Sequence, residues 1–508
     1  MPGPVQSILQ NSLDGIIIEA ECHISNGLPA IILIGLGNKA VEEARERLRS
    51  AFAASKLTLP AKRITINLAP ADVPKDSTAF DLAIAVSILQ ASSQVHHDFT
   101  NREAFIGEIG LDGIIRPVRG IIGKLLAGRG RGIEVFYVPV GNVEQAQLVP
   151  GVTLIPVTNL AELHRNLIGA TPTPIINTSN GLQVRQPPKT THHQMGEVIG
   201  QAAAKRAMEI AAAGGHNIFL SGPPGTGKSM LAKALPSILP PLTQQEMLEV
   251  THLHSLANND YEQLVTERPF RSPHHSASNI AIIGGGLNIR PGEISLSHRG
   301  VLFLDEFPEF SRSTIEALRQ PLEDGVITVA RAKQSVVYPA RCMLVATANP
   351  CPCGFYGSTK PCVCSVSDLV RYRQRISGPI LDRIDLFATV ESIDHTQLLA
   401  ATPTTADDTA AKQRVIEARH LQAVRFADDY STNASMSNPT IKRHAKLAPT
   451  AKALLDRAAA QLDISARSYM RTVKVSRTIA DLDNSAMITP AHISEALQYR
   501  RTNQTEAI

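Results

Sequence analysis

The sequence predicts an α/β protein of three domains: an N-terminal α/β domain, a central P-loop unit with α/β/α layering, and a small C-terminal helical domain. Three observations predict it. An apolar β-like run, a glycine-rich turn and a helical run follow one another in HNIFLSGPPGTGKSMLAKALP, residues 216–236. Upstream, short β-forming runs alternate with helix-like stretches, whereas helix formers dominate the last quarter of the chain. The length, 508 residues, allows about three domains with sizeable cores.

Composition narrows the class. Charged residues at 19% and apolar residues at 43% are those of an ordinary globular protein and exclude a disordered one. A net charge of +4 permits a nucleic-acid partner without demanding it. No apolar run reaches the ~18 residues of a membrane span, and MPGPVQSILQNSLDG lacks the basic-then-apolar layout of a signal peptide, so the protein is expected to be cytoplasmic with no membrane partner. Four of the six cysteines fall within residues 351–364, which points to a local site rather than a disulfide scaffold.

Residues 1–168 carry the runs GIIIEAECHI, PAIILIGLG, RITINLAP, VFYVPV and VTLIPV, separated by helical stretches such as NKAVEEARERLRSAFAAS. That alternation predicts a mixed α/β domain. Within it, VPKDSTAFDLAIAVSILQAS and AFIGEIGLDGIIRPVRGIIGKLLAGRGRGIEVFYVPVGN resemble the proteolytic domain of Lon proteases (a ribosomal S5 domain 2-like fold). The resemblance implies a Ser-Lys dyad, but Ala79 stands at the serine position and Ile122 at the lysine position, with Ser77, Thr78 and Lys124 nearby. A catalytically silent platform is expected. Residues 169–194, rich in Pro, Thr, Asn and Gly, read as a linker.

Residues 195–392 read as a P-loop ATPase core. Gly222, Gly227, Lys228 and Ser229 satisfy G-x-x-x-x-G-K-[ST] between a strand and a helix. In such a loop the backbone of Gly222, Pro223, Pro224, Gly225, Thr226 and Gly227 curls around phosphate oxygens so that the N–H groups of its non-proline residues point inward, and the helix start adds partial positive charge. Lys228 is expected to reach the β- and γ-phosphates of ATP, and the Ser229 hydroxyl to join the coordination of Mg²⁺. A second apolar run, RGVLFLDEFPEF, ends in Asp305 and Glu306. Carboxylates at the C-terminal edge of a buried strand stand where open α/β sheets hold ligands, so Asp305 is expected at the Mg²⁺ and Glu306 at the attacking water. A third, CMLVATANP, ends in Asn349, whose amide can bond the γ-phosphate or orient that water; the plainer alternative is a turn-opening Asn before Pro350. In RYRQRISGPILDRIDLFATV, Arg383 follows a Gly-Pro turn and is the candidate to enter a neighbouring subunit's site, with Arg371, Arg373 and Arg375 as competitors or as a solvated basic face.

Two stretches could touch a polymer. β-Formers around ARAKQ predict a hairpin with Arg331 and Lys333 near its tip, suited to a DNA backbone or else an ordinary charged turn. The segment RPFRSPHHSASNIAIIGGGLNIRPGE offers Arg268, Arg271, His274, His275 and Arg290. Cys351, Cys353, Cys362 and Cys364 could supply four thiolates to Zn²⁺, although C-x-C is tighter than the usual C-x₂₋₄-C and free thiols are the alternative. Cys22 and Cys342 read as core residues.

Residues 393–508 are helix formers in which Thr489 and Pro490 read as an N-cap followed by the first helical position. The run RPFRSPHHSASNIAIIGGGLNIRPGEISLSHRGVLFLDEFPEFSRSTIEALRQPLEDG, followed by NPCPCGFYGS, resembles the magnesium-chelatase-like AAA+ family, in particular its ComM/YifB branch, and the likeness covers nearly the whole chain. It implies a hexameric ring in which the C-terminal helices form the lid, Asn349 is sensor 1, and Arg467 is sensor 2, with Arg471 one turn on as the alternative. For that branch it implies a helicase promoting branch migration of DNA during natural transformation. A chaperone or assembly factor that remodels a protein partner is the other reading. The ARAKQ tip has no aromatic-hydrophobic pair to grip a polypeptide, which favours DNA.

Overall fold

The computed structural model describes residues 3–10, 15–35, 39–73, 75, 77–97, 99–178, 193–257, 264–286, 289–331, 334–357, 360–375, 378–392, 405–428 and 431–500. They form two compact units, Met1–Gln186 with Thr243–Thr266, and Pro187–Leu242 with Glu267–Ile508. No described helix is long and apolar enough to cross a membrane.

The first unit holds two four-stranded sheets. In one, β1 (Val5–Leu9), β2 (Ile16–Ser25), β3 (Ala30–Ile34) and β4 (Arg63–Ala69) stand in the order β1-β2-β4-β3, antiparallel except for β3 with β4. In the other, β5 (Glu103–Phe105), β6 (Val135–Pro139), β7 (Thr153–Val157) and the short β8 (Ile176–Asn177) run β8-β7-β6-β5. The helix Asp81–Ala91 is buried from Asp81 to Leu89, as its nearly unbroken apolar run demands. The helix Gln244–Ala257 belongs to this unit although its sequence lies beyond the P-loop. Its Ser255 hydroxyl accepts a 2.8 Å hydrogen bond from the Gln10 side chain.

Ala79 and Ile122 are both buried. Their neighbours are engaged elsewhere: the Ser77 hydroxyl accepts from the Ala79 N–H, Thr78 donates to Glu108 at 2.5 Å, and Lys124 donates to the Arg119 carbonyl at 2.7 Å. Each polar group near the Lon-like positions thus has a structural partner.

The second unit is built on a five-stranded, wholly parallel sheet. Its strands are β9 (Ile218–Ser221), β10 (Phe270–Arg271), β11 (Val301–Leu304), β14 (Met343–Ala348) and β15 (Leu386–Thr389), in the order β10-β11-β14-β9-β15; β12 (Val326–Arg331) and β13 (Gln334–Pro339) form a separate antiparallel hairpin. β9, β11 and β14 are buried along their whole length, which explains their unbroken apolar sequences. The predicted hairpin is there; Lys333 and the side chain of Arg331 lie outside the described residues.

The C-terminal helices Thr405–Phe426, Asn438–His444, Pro449–Gln461, Ala466–Leu482 and Pro490–Gln498 complete this unit. Thr489 caps the last of them with Pro490 at its start, as expected. Fully buried His216, just before β9, pairs with Asp385 at 2.9 Å and Thr478 at 2.8 Å, which ties the sheet to the helix Ala466–Leu482. Arg425 and Arg477 both reach the buried Asp481 carboxylate, so the helical bundle has a charged, paired centre.

Candidate nucleotide site

Parallel pairing sets the site. Ser221 lies opposite Ala348 and Thr389, and Leu304 lies opposite Ala346, so the P-loop, Asp305 and Asn349 all leave the sheet at the carboxyl ends of adjoining strands. The loop then turns into the helix Lys228–Ile238 through Gly227 at φ 92°, a left-handed conformation that favours glycine. Gly222 has a different reason: a Cβ there would lie 2.1 Å from the Val390 carbonyl oxygen, so only glycine lets the loop pass the end of β15.

Lys228 is buried at the helix start, and its Nζ donates to the carbonyls of Gly222 at 2.6 Å and Pro223 at 2.8 Å and to Asn349 Oδ1 at 3.1 Å. Burial lowers its pKa, and the charges of Asp305 and Glu306 pull the other way. The ammonium is therefore aimed inside the loop, against the Asn349 amide. Ser229 donates to Asp305 Oδ2 at 2.8 Å. Thr347 donates to Asp305 Oδ1, and the same hydroxyl accepts the Glu306 N–H at 3.2 Å. Glu306 sits at φ 50° with its carboxylate exposed and 3.7 Å from His275 Nδ1.

The expected residues are bonded in two pairs, Lys228 with Asn349 and Ser229 with Asp305, and Glu306 adjoins the second through Thr347. Their donor set suits a triphosphate with a divalent ion: an anion cradle, one ammonium, and a hydroxyl paired with a carboxylate, which are hard oxygen ligands. Sequence reasoning missed Thr347 and, having offered His275 for a polymer, missed its place beside Glu306. The period of two in β14, which puts Thr347 and Asn349 on one side, is the signal that could have found the first.

The arginines lie differently. Arg383 Nη2 is 2.5 Å and Arg467 Nη2 is 3.0 Å from one oxygen, Oε1 of Glu323. The hydrogen bond from Arg383, followed by its charge and by Arg467, holds the Glu323 carboxyl below its ordinary range. Arg383 is only 11% exposed, and its Nε is buried without a hydrogen-bond partner among the described residues. Arg471 is tied to the Ile384 carbonyl at 2.5 Å, and Arg375 to Glu309 at 2.7 Å. Of the other basic candidates, Arg268 bonds the carbonyls of Pro240 and Arg299, and Arg271 makes a two-point pair with Glu293 at 2.5 and 2.6 Å. Both serve the unit's own structure.

Immediately beyond Asn349, the sulfurs of Cys351, Cys353, Cys362 and Cys364 lie within 4.8 Å of one another. The Cys351–Cys353, Cys351–Cys362 and Cys353–Cys362 separations are 3.3, 3.7 and 3.5 Å. A turn closed by Gly354 N–H on the Cys351 carbonyl at 2.9 Å points both members of the first C-x-C pair the same way, which resolves the discomfort of that spacing. The N–H groups of Phe355 and Val363 hold the Cys353 thiol down to about 6. Cys342 is half-buried, and desolvation of its thiol raises it to about 11.

This strand order and loop define a P-loop nucleotide-binding unit of the AAA+ class. Comparison agrees: the family description "Magnesium chelatase, subunit ChlI" matches residues 194–398, "Subunit ChlI of Mg-chelatase" residues 20–142, and "Magnesium chelatase, subunit ChlI C-terminal" residues 406–500. The chain is 41% identical to YifB of Escherichia coli over 489 residues, 95% of this chain and 94% of that one. It is 40% identical over 486 residues to a protein of Haemophilus influenzae named competence protein ComM, again 95% and 94% of the two chains. The chain belongs to the ComM/YifB branch of the magnesium-chelatase-like AAA+ family. ATP and Mg²⁺ are the cofactors of that family's nucleotide site.

Proposed function

We propose that the protein is a ring-forming AAA+ motor that hydrolyses ATP to move DNA, acting as a helicase in branch migration during the recombination step of natural transformation. One observation carries the ATPase part: Lys228 and Asn349, and Ser229 and Asp305, are already bonded in pairs at the edge of one sheet. When bound, Mg²⁺ supplies charge neutralisation between the β- and γ-phosphates. Ser229 and Asp305 hold it, Lys228 binds the terminal phosphates, Asn349 orients the attacking water, and Glu306 takes its proton. Arg383 of one protomer serves the site of the next, Arg467 acts as sensor 2, and the ring is a hexamer. Four cysteines carry a structural Zn²⁺. The protein works in the cytoplasm.

The DNA part is supported by the relative named for competence and by the β12–β13 hairpin, the stretch whose sequence carries the basic residues Arg331 and Lys333, a chemistry suited to a phosphate backbone. ATP turnover measured with and without forked or four-way DNA tests it. Stimulation by DNA that fades steeply with salt, and that Arg331→Ala with Lys333→Ala removes, is expected. Turnover indifferent to every DNA form, but raised by a protein partner, would overturn the DNA reading in favour of a remodelling factor.

A further inference from the structure

The four-cysteine knuckle and the phosphate loop touch. Cys351 follows Asn349 by two residues and is fully buried, and the Tyr372 hydroxyl donates to the Asn349 carbonyl at 3.1 Å, so the chain is pinned where it enters the knuckle. Gly354 stands on the other side. It has φ 87°, and a Cβ there would lie 2.7 Å from Cδ and 3.1 Å from Cγ of Pro224. The knuckle's turn is therefore packed flush on the middle of the P-loop, while its first residues continue directly from the asparagine that bonds Lys228.

The sulfurs suit one tetrahedral ion. Four thiolates at about 2.3 Å from Zn²⁺ lie about 3.8 Å from each other; the sulfurs of Cys351, Cys353 and Cys362 are 3.3 to 3.7 Å apart, and with Cys364 all four lie within 4.8 Å of one another. All six cysteines are free thiols, so no disulfide competes for these atoms. Of the four cysteines only Cys351 is buried, and Tyr356 and Val363 in the same loop are exposed, so without an ion little apolar burial among the described residues fixes the two C-x-C turns. With an ion, both the Asn349 side chain and the Pro224 ring rest on a rigid backing.

We propose that the Zn²⁺ knuckle braces the P-loop, so that the metal and a nucleoside polyphosphate strengthen each other's binding. This rests on the zinc and nucleotide readings above. Linkage makes it quantitative: whatever factor zinc adds to nucleotide affinity, nucleotide must add to zinc affinity.

The experiment uses the full chain, purified without chelator, with elemental analysis of metal and titration with fluorescent ADP. One zinc per chain is expected. Removing it with a chelating dye should weaken ADP binding about tenfold, and saturating ADP should shift the dye's extraction of zinc by the same factor. Gly354→Ala keeps all four cysteines but drives a methyl group at Pro224; it should retain its zinc and bind ADP about tenfold more weakly. Lys228→Ala should lose ADP yet keep its zinc, which separates a failed nucleotide site from a failed brace. Zinc well below one per chain, iron in its place, ADP affinity indifferent to zinc, or a Gly354→Ala protein that binds ADP like its parent would each overturn the proposal.

Discussion

Each unit of this protein buries a lysine, and the two make an instructive pair. Lys228, in the nucleotide-binding unit, is 8% exposed with its ammonium on the carbonyls of Gly222 and Pro223. Lys75, in the first unit, is fully buried with its ammonium on the Pro70 carbonyl. Burial lowers the pKa of both. What differs is the company. Lys228 also meets the Asn349 amide and stands near two carboxylates at the start of a helix, whereas Asp72 is the charge that acts on Lys75. A buried ammonium parked on main-chain oxygens is thus no mark of a site by itself. Chemistry follows from the groups that converge with it.

The strongest break in the comparison is at the site. Lys228→Ala removes the ammonium from the phosphates and should lower ATP turnover by about 10² to 10³-fold, the usual cost of one preorganised electrostatic contact. Glu306→Gln should cost about 10²-fold or more while nucleotide binding persists, because the described partner of the exposed carboxylate is His275, outside the phosphate loop. Phosphate release and fluorescent-nucleotide titration check both. Retained turnover in Glu306→Gln would remove it as the base.

Next in size is Thr347→Val. It keeps the volume of a buried side chain but leaves Asp305 Oδ1 and the Glu306 N–H without their shared hydroxyl. Because the Glu306 N–H keeps a 3.1 Å bond to Asp305 Oδ1, the lost hydroxyl costs about 0.5–1.5 kcal/mol, so turnover should fall about tenfold and the melting temperature by a few degrees. Thr347 also marks where sequence reading runs out. Local signals were legible: the P-loop, the carboxylates ending β11, the hairpin β12–β13, and the Thr489–Pro490 helix start are each written in neighbouring residues. Tertiary pairings were not. Arg268 and Arg271 read as free cations until the folded chain supplied Pro240 and Glu293. The helix Gln244–Ala257 has apolar residues in either reading, and periodicity cannot say which unit's core receives them.

A smaller effect is expected at Glu323, where the two arginines assigned to the nucleotide site meet one carboxylate far from them in sequence. Glu323→Gln removes the charge and keeps the shape, freeing Arg383 and Arg467 from an arrangement that leaves Arg383 Nε unpartnered. Because Glu323 is about half exposed, the pair energy is small, about 0.2–1 kcal/mol, and basal turnover should rise no more than about fivefold. A fall instead would mean that Glu323 positions these arginines rather than parking them.

The smallest effect concerns stability alone. With a pKa lowered from 10.5, Lys75 holds fewer protons in the folded than in the unfolded chain at pH values between its folded pKa and 10.5. Stability rises with pH wherever the unfolded state binds more protons, so Lys75 adds a positive slope in the alkaline range just below 10.5; at lower pH its burial cost is constant. Lys75→Met removes the titrating group and should flatten that part of the profile, read as the difference between the two proteins' denaturant midpoints from pH 7.5 to 10. ATP turnover should be unaffected, since the described partners of Lys75 are the Pro70 carbonyl and the charge of Asp72. An unchanged slope would show that the Lys75 ammonium stays charged in the fold and that its carbonyl partner fully offsets burial, in which case the two lysines differ in neighbours and in protonation alike.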